Sequence, residues 1–129
     1  MILRVFRYTP AAAERTRTYR VEARPGMTVL DALVEIQREQ DPTLAFRYSC
    51  RVGMCGSCAV VINGRERWAC RTLLASLKTE AVTVRPLYHF PLIRDLVVDM
   101  APFAAKMKAA GAVFVAKEGE EAFAPIGRN

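Results

Sequence analysis

An α+β fold, in which a small sheet packs on one helix and a short helical extension follows at the C-terminal end, is what this sequence predicts. Three observations point to it. Two segments near the start alternate apolar and polar residues with a period of two, a capped amphipathic stretch follows, and two further β-rich runs meet at Asn63-Gly64. At 129 residues and 52% hydrophobic, the chain suffices for one domain with a real core and falls short of two.

Residues 2–8 and 17–23 carry the alternation, and Thr9-Pro10 between them starts with a turn signal, so a β-hairpin is expected. Pro25-Gly26 breaks the second strand. Thr28 suits a helix N-cap with Asp31 three residues on, and Val29, Leu33 and Ile36 recur on one face, predicting a helix over 28–39. Asp41-Pro42 ends it, because the residue before a proline is biased out of the helical region. An irregular loop over 45–57, punctuated by Gly53 and Gly56, comes next. Cys58 to Ile62 is β-rich, Asn63-Gly64 is the strongest short hairpin signal, and Arg65 to Cys70 returns. A strand over 81–85 ends at Pro86. Together these elements fit a β-grasp domain.

Beyond it, Leu92, Ile93, Leu96, Val97 and Met100 follow helical spacing, so a connecting helix is expected, and Pro102 precedes a further turn of helix from Phe103 to Ala110. The expected division is a domain over 1–100 that includes the connecting helix, and an extension over 101–129 that docks on a partner.

The formal net charge is +6. A basic domain can be the footprint of nucleic-acid binding. Here Arg4, Arg7, Arg15, Arg17, Arg20 and Arg24 are dispersed singly at spacings typical of the solvent face of strands and turns, without interleaved aromatics for base stacking, so no nucleic-acid partner is expected. The start, Met1-Ile2-Leu3-Arg4-Val5-Phe6-Arg7, alternates apolar and basic residues and reads as a strand, where a signal peptide needs a continuous apolar run. No stretch approaches the roughly 18 uninterrupted apolar residues of a membrane-spanning helix. The expectation is a cytoplasmic chain whose membrane association, if any, comes through partner subunits.

The four cysteines, Cys50, Cys55, Cys58 and Cys70, fall within 21 residues and leave no distant pair to staple the fold, which points to metal and a reducing compartment. Their pattern is C-x4-C-x2-C followed, after eleven residues, by the fourth Cys, and the first three match the plant-type spacing for a [2Fe–2S] cluster. Each iron takes two sulfides and two thiolates, so Cys50 and Cys55 are expected on one iron, Cys58 and Cys70 on the other. Cys58 and Cys70 lie six residues either side of Gly64, so a hairpin folded there brings them together. Arg51, Gly53 and Gly56 support the loop; the glycines can adopt left-handed angles that aim amide N–H groups at sulfur. A structural Zn(Cys)4 site is the bland alternative, although it usually uses two C-x2–4-C knuckles and only Cys55 and Cys58 form one.

Arg47, Arg51, Arg65, Arg67 and Arg71 flank the ligands, with only Glu66 opposing them. Cations favour the more negative, reduced form of a thiolate-ligated cluster, so a midpoint well above the roughly −400 mV of plant-type ferredoxins is expected. The plainer reading is that these arginines are solvated or face an acidic partner. His89, the only histidine, reads as a surface or packing residue of a linker, and Trp68 and Tyr48 as aromatic packing near the loop. No Ser-His-Asp set, paired catalytic carboxylates or phosphate loop is visible, so catalysis by this chain alone is not expected.

The run Phe46-Arg47-Tyr48-Ser49-Cys50-Arg51-Val52-Gly53-Met54-Cys55-Gly56-Ser57-Cys58, with Ala69-Cys70-Arg71-Thr72, Val84-Arg85-Pro86-Leu87 and Pro91 to Met100, resembles the N-terminal ferredoxin domain of the succinate dehydrogenase/fumarate reductase iron–sulfur subunit. The resemblance covers about residues 1–105. It implies a 2Fe–2S ferredoxin-like fold and docking against a flavoprotein subunit that holds FAD, with further iron–sulfur or membrane-anchor subunits as additional partners. That family also carries [4Fe–4S] and [3Fe–4S] clusters on later cysteines, and these residues contain no cysteine after Cys70, so one cluster is expected. The rival readings are a free-standing ferredoxin serving a reductase or oxygenase, the small subunit of a molybdenum hydroxylase, and, outside redox chemistry, a zinc-stabilised interaction module.

Overall fold

The computed structural model describes residues 1–54 and 56–111. Strands β1 (Ile2–Thr9) and β2 (Ala12–Arg20) form an antiparallel hairpin in the register Leu3↔Tyr19 and Val5↔Arg17. β2 begins at Ala12, earlier than the alternation suggested, so the turn shrinks to Pro10-Ala11. Its first seven residues are exposed, and their arginines and threonines suit a sheet edge, where charge discourages pairing with another chain.

After this hairpin in the chain comes α1 (Val29–Glu39). Thr28 and Asp31 close a reciprocal capping box, as the sequence predicts: the Thr28 hydroxyl accepts from Asp31 N at 3.1 Å, and the Asp31 carboxylate accepts from Thr28 N at 3.0 Å. Such a cap contributes about 1 kcal/mol. The helix buries Val29, Leu30, Ala32, Leu33 and Ile36 against the sheet, and each fully buried aliphatic side chain stabilises by about 1.5–3 kcal/mol.

The chain then runs through the cysteine loop into β3 (Ala59–Ile62) and β4 (Arg65–Trp68), joined at Asn63-Gly64. Both turn residues have positive φ, +49° and +83°, the two-residue turn whose twist matches its strands. β5 (Ala81–Arg85) pairs antiparallel with β3 and parallel with β1, giving the order β2-β1-β5-β3-β4. Leu3, Val5, Val82 and Val84 make the sheet's side of the core. On the outer face Phe6 is covered by the Arg85 guanidinium, 5.0 Å from its ring centre. This is the expected β-grasp arrangement.

The segment after β5 departs from expectation. Leu92, Ile93, Leu96 and Val97 do not build a helix; they form a small hairpin, β6 (Leu92–Arg94) and β7 (Val97–Val98). The cause is Asp95, which takes a left-handed turn at φ +46° with its carboxylate fully buried, while Leu96 and Val98 enter the core and Ile93 stays out. A second departure is Arg7, assigned by its dispersed neighbours to the solvent face and found only 2% exposed. It follows Leu3 and Val5 on the inner face of β1. There its guanidinium bonds Asp95 at 2.8 Å and Asp41 at 2.7 Å. Among the described residues no buried side-chain polar atom lacks a hydrogen-bond partner.

Residues 1–99 form one compact unit, and the described residues from 100 onward belong to another. In the second, α2 (Ala101–Ala109) carries Pro102 in its first turn, where a missing N–H costs nothing, and Lys106 and Lys108 in its last, before Gly111 at φ +75°. The expectation that 101–129 docks on a partner falls largely on 112–129, which lie outside the described residues. No helix among the described residues is long and apolar enough to cross a membrane.

Candidate metal centre

The β3–β4 hairpin closes as its turn requires, so its two ends meet. Cys58 sits immediately before β3, and Cys70 lies in the 3-10 turn Ala69–Arg71 that follows β4. Ala69 N donates to the Cys58 carbonyl at 3.2 Å, and Cys70 N donates to Cys58 Sγ at 3.5 Å. Both cysteines are buried, at 4% and 7% exposure. Burial pushes the Cys58 thiol above its ordinary value, offset in part by the Cys70 N–H. A bound metal reverses that preference by stabilising the thiolate.

Cys50 is half-buried in the loop, and its Sγ accepts from Val52 N at 3.4 Å and Met54 N at 3.2 Å. Two amides converge on one sulfur because the backbone turns left-handed at Arg51, φ +63°, and again at Gly53, φ +76°. Such alternation makes a concave nest of N–H groups suited to an anion. Arg51 is not glycine, and its strained angle is supported by its guanidinium lying over the Tyr48 ring at 4.9 Å, with Tyr48 stacked on Phe46 at 5.7 Å. Tyr48 thus packs on the loop itself.

Gly53 is required twice over. Its φ suits glycine, and a Cβ there would stand 2.7 Å from Arg71 Cγ, inside contact distance. Gly53→Ala is expected to cost about 1–2 kcal/mol through the backbone alone, with the Arg71 clash added. Metal uptake measured by reconstitution should fall in G53A and recover in part when Arg71→Ala removes the clash. At Gly56 a Cβ would meet Trp68 Nε1 only at 3.8 Å, so there φ +70° alone selects glycine.

Cys55 lies outside the described residues. Among the described residues no three His, Cys, Asp or Glu side chains form a cluster that could hold a metal ion. The donor set fits an iron–sulfur cofactor: soft thiolates, two at the hairpin base and one in a loop, with backbone N–H groups directed at Cys50 and Cys58 sulfurs.

Of the five flanking arginines, Arg51 and Arg71 belong to the loop's own packing and Arg47 is exposed within it. Arg65 pairs with Ile62 at the turn end of the hairpin, away from the base that carries Cys58, and Arg67 pairs with Val60 nearer that base. His89 is exposed in the connection between β5 and β6, tilted against Tyr88. Sequence reasoning missed the apolar surface of the loop: Val52 is 55% exposed and Met54 83%, with Trp68 45% exposed beside Gly56. Their signal was their placement among ligands.

A family model described as "2Fe-2S iron-sulfur cluster binding domain" matches residues 2–105. The fumarate reductase iron-sulfur subunit of Mycobacterium tuberculosis (strain CDC 1551 / Oshkosh) is 43% identical over 109 residues, covering 83% of this chain and 44% of that protein. The succinate dehydrogenase iron-sulfur subunit of Paracoccus denitrificans is 44% identical over 105 residues, covering 79% of this chain and 40% of that protein. A chain of the solved "Mycobacterium smegmatis Sdh1 complex in the apo form" superposes with a TM-score of 0.78 at 36% identity, over 96% of this chain and 52% of that one. The chain therefore spans about half the length, or less, of these relatives.

Proposed function

The chain belongs to the 2Fe-2S iron-sulfur cluster binding domain family, and from that premise we propose that it passes electrons singly, as the iron–sulfur component of a flavin-dependent oxidoreductase of the succinate dehydrogenase/fumarate reductase type. The ligands in this reading are Cys50, Cys55, Cys58 and Cys70. The cofactor when bound supplies one-electron redox chemistry, the complement of a flavin that exchanges electrons in pairs.

The observation that carries the reading is the pairing of Cys58 with Cys70 at the hairpin base while amides of the loop bond Cys50 Sγ. The chain's own residues then have distinct tasks. Amides of Val52, Met54 and Cys70 stabilise negative charge on sulfur, and Gly53 lets Arg71 lie close over the loop. Val52 and Met54 offer an apolar face, with Arg47, Arg51 and Arg71 exposed in the same region, which suits an acidic partner surface. A flavoprotein subunit holding FAD is that partner in this reading, and membrane-anchor or further iron–sulfur subunits would give the cytoplasmic chain its membrane association.

Two measurements test this. Co-expression with the candidate flavoprotein should yield a stable complex that purifies together; an isolated chain that exchanges freely with several reductases would mark a free-standing ferredoxin instead. Potentiometric titration should place the midpoint above the roughly −400 mV of plant-type ferredoxins, and Arg71→Gln should lower it. A midpoint at or below that value removes the role given to the arginines.

A further inference from the structure

We propose that Asp95 is a positioning residue for the cluster-binding loop: through Arg7 and the backbone of Ala45 it fixes the point from which the loop departs, making the β6–β7 hairpin a working part of the site. The inference rests on the reading that this loop holds a [2Fe–2S] cluster.

Consider first what the buried carboxylate holds. Asp95 Oδ1 accepts from Arg7 Nε at 2.8 Å and from Tyr8 N at 2.9 Å, while Oδ2 accepts from Ala45 N at 2.9 Å. The backbone joins in: Leu96 N donates to the Ala45 carbonyl at 3.2 Å, and Asp95 N donates to the Tyr8 carbonyl at 2.8 Å. Ala45 is thus held on both its N–H and its C=O by the tip of the hairpin.

The same guanidinium ties down the residues just before it. Arg7 bonds Asp41 Oδ2 at 2.7 Å, Tyr19 Oη at 2.7 Å and Thr43 Oγ1 at 2.9 Å, and Asp41 accepts in turn from Thr43 N at 3.1 Å. Leu44 is 1% exposed, with its carbonyl accepting from Gln37 Nε2 at 2.9 Å. Residues 41–45 are therefore immobilised along their length. Beyond residue 45, Phe46 packs on the core and stacks with Tyr48, amides gather around Cys50, and Arg71 lies over Gly53, before the chain reaches the hairpin base at Cys58.

A turn alone does not explain this side chain. At φ +46° glycine or asparagine would serve the backbone with no charge to desolvate. The carboxylate is nevertheless fully buried, and what compensates its burial is the Arg7 guanidinium in hydrogen-bond contact, the Arg94 guanidinium at 3.9 Å, and two amides, one of which begins the loop. Groups hydrogen-bonded to a metal ligand commonly change metal-site affinity by about 10–100-fold without touching the metal, and Asp95 stands one step further out, on Ala45 five residues before Cys50.

The test uses the full chain, reconstituted anaerobically with iron and sulfide, and two substitutions. Asp95→Asn keeps the shape, removes the charge facing Arg7 and leaves one accepting oxygen, so either Arg7 or Ala45 N meets an NH2 instead of an acceptor; Thr43→Ala removes an exposed tie and leaves the Arg7–Asp95 pair intact. Release of iron to a chelator should be about 10-fold faster or more in D95N, and the reduced protein's EPR g-values should move, while far-UV circular dichroism stays unchanged. In the metal-free protein, amide exchange across 46–54 should accelerate in D95N and, more weakly, in T43A, with α1 unaffected. A folded D95N with wild-type release, spectrum and loop exchange overturns the proposal. Should D95N fail to fold, T43A cuts the Arg7 bond by which Asp95 reaches the segment before the loop, and unchanged loop exchange there overturns the route through Arg7. A wild-type chain that takes up no iron and sulfide contradicts the underlying reading, and loop exchange in the metal-free variants still decides whether Asp95 fixes the loop.

Discussion

Serine at Cys58 or Cys70 is expected to reduce bound iron and acid-labile sulfide to background while the domain stays folded. Both thiols are buried at the base of the β3–β4 hairpin, bonded through Cys70 N to Cys58 Sγ. A serine oxygen is harder and shorter, and the hairpin gives it no room to move toward iron. The fold survives because serine replaces sulfur by oxygen with little change of shape, and although Cys58 and Cys70 belong to the buried cluster, its bulk, Leu3, Val5, Leu33, Ile36, Val82 and Val84, is untouched. Metal and sulfide analysis beside far-UV circular dichroism checks both halves. Full cluster content in either variant would remove that cysteine from the ligand set.

Arg7→Leu is expected to be the most destabilising single substitution in the domain. It puts an apolar side chain against Asp41 and Asp95, leaving them only the largely exposed Arg17 at 3.3 Å and Arg94 at 3.9 Å as cations, and breaking a buried pair from one side costs about 3–5 kcal/mol. Each kcal/mol moves the melting temperature of a domain this size by about 4–8 °C. Calorimetry of R7L against wild type measures the loss, and R7K should fall between them, since an ammonium cannot reproduce the fork.

The same cluster sets a pH dependence. Hydrogen bonds from Thr43, opposed by burial and reinforced by Tyr19 and Arg7, hold the Asp41 carboxyl well below the usual carboxylate range. A carboxylate so depressed contributes stability above its unfolded value of about 4 and loses it as pH falls toward the folded one. Stability should therefore decline on acidification below about pH 4, and Asp41→Asn, less stable at neutral pH, should flatten that decline. Equally steep acid curves for both proteins would contradict the assignment.

Local chemistry explains which parts of this molecule were legible beforehand. Thr28 and Asp31 are three residues apart, Asn63 and Gly64 adjacent, and Cys58 and Cys70 symmetrical about that turn, so each signal is complete within a short window. Arg7 and Asp95 are 88 residues apart, and neither shows in its own neighbourhood that the other neutralises it. The phase of β1 held a clue, since Arg7 continues the Leu3 and Val5 face, but a lone arginine there reads more readily as solvent-facing. Residues 92–100 misled for another reason: over so short a run, apolar spacing fits helix and hairpin alike. The buried carboxylate of Asp95 decides between them, and its burial is a tertiary fact. The exposed Val52 and Met54 were in plain view, yet exposure itself cannot be read from a loop.

Iron, zinc and acid-labile sulfide analysis of the purified full chain, combined with EPR before and after dithionite reduction, tests the central claim most directly. A [2Fe–2S] centre on these four cysteines requires about two irons and two sulfides per chain, silent when oxidised and paramagnetic after uptake of one electron. One zinc per chain, no labile sulfide and no reducible signal would contradict it.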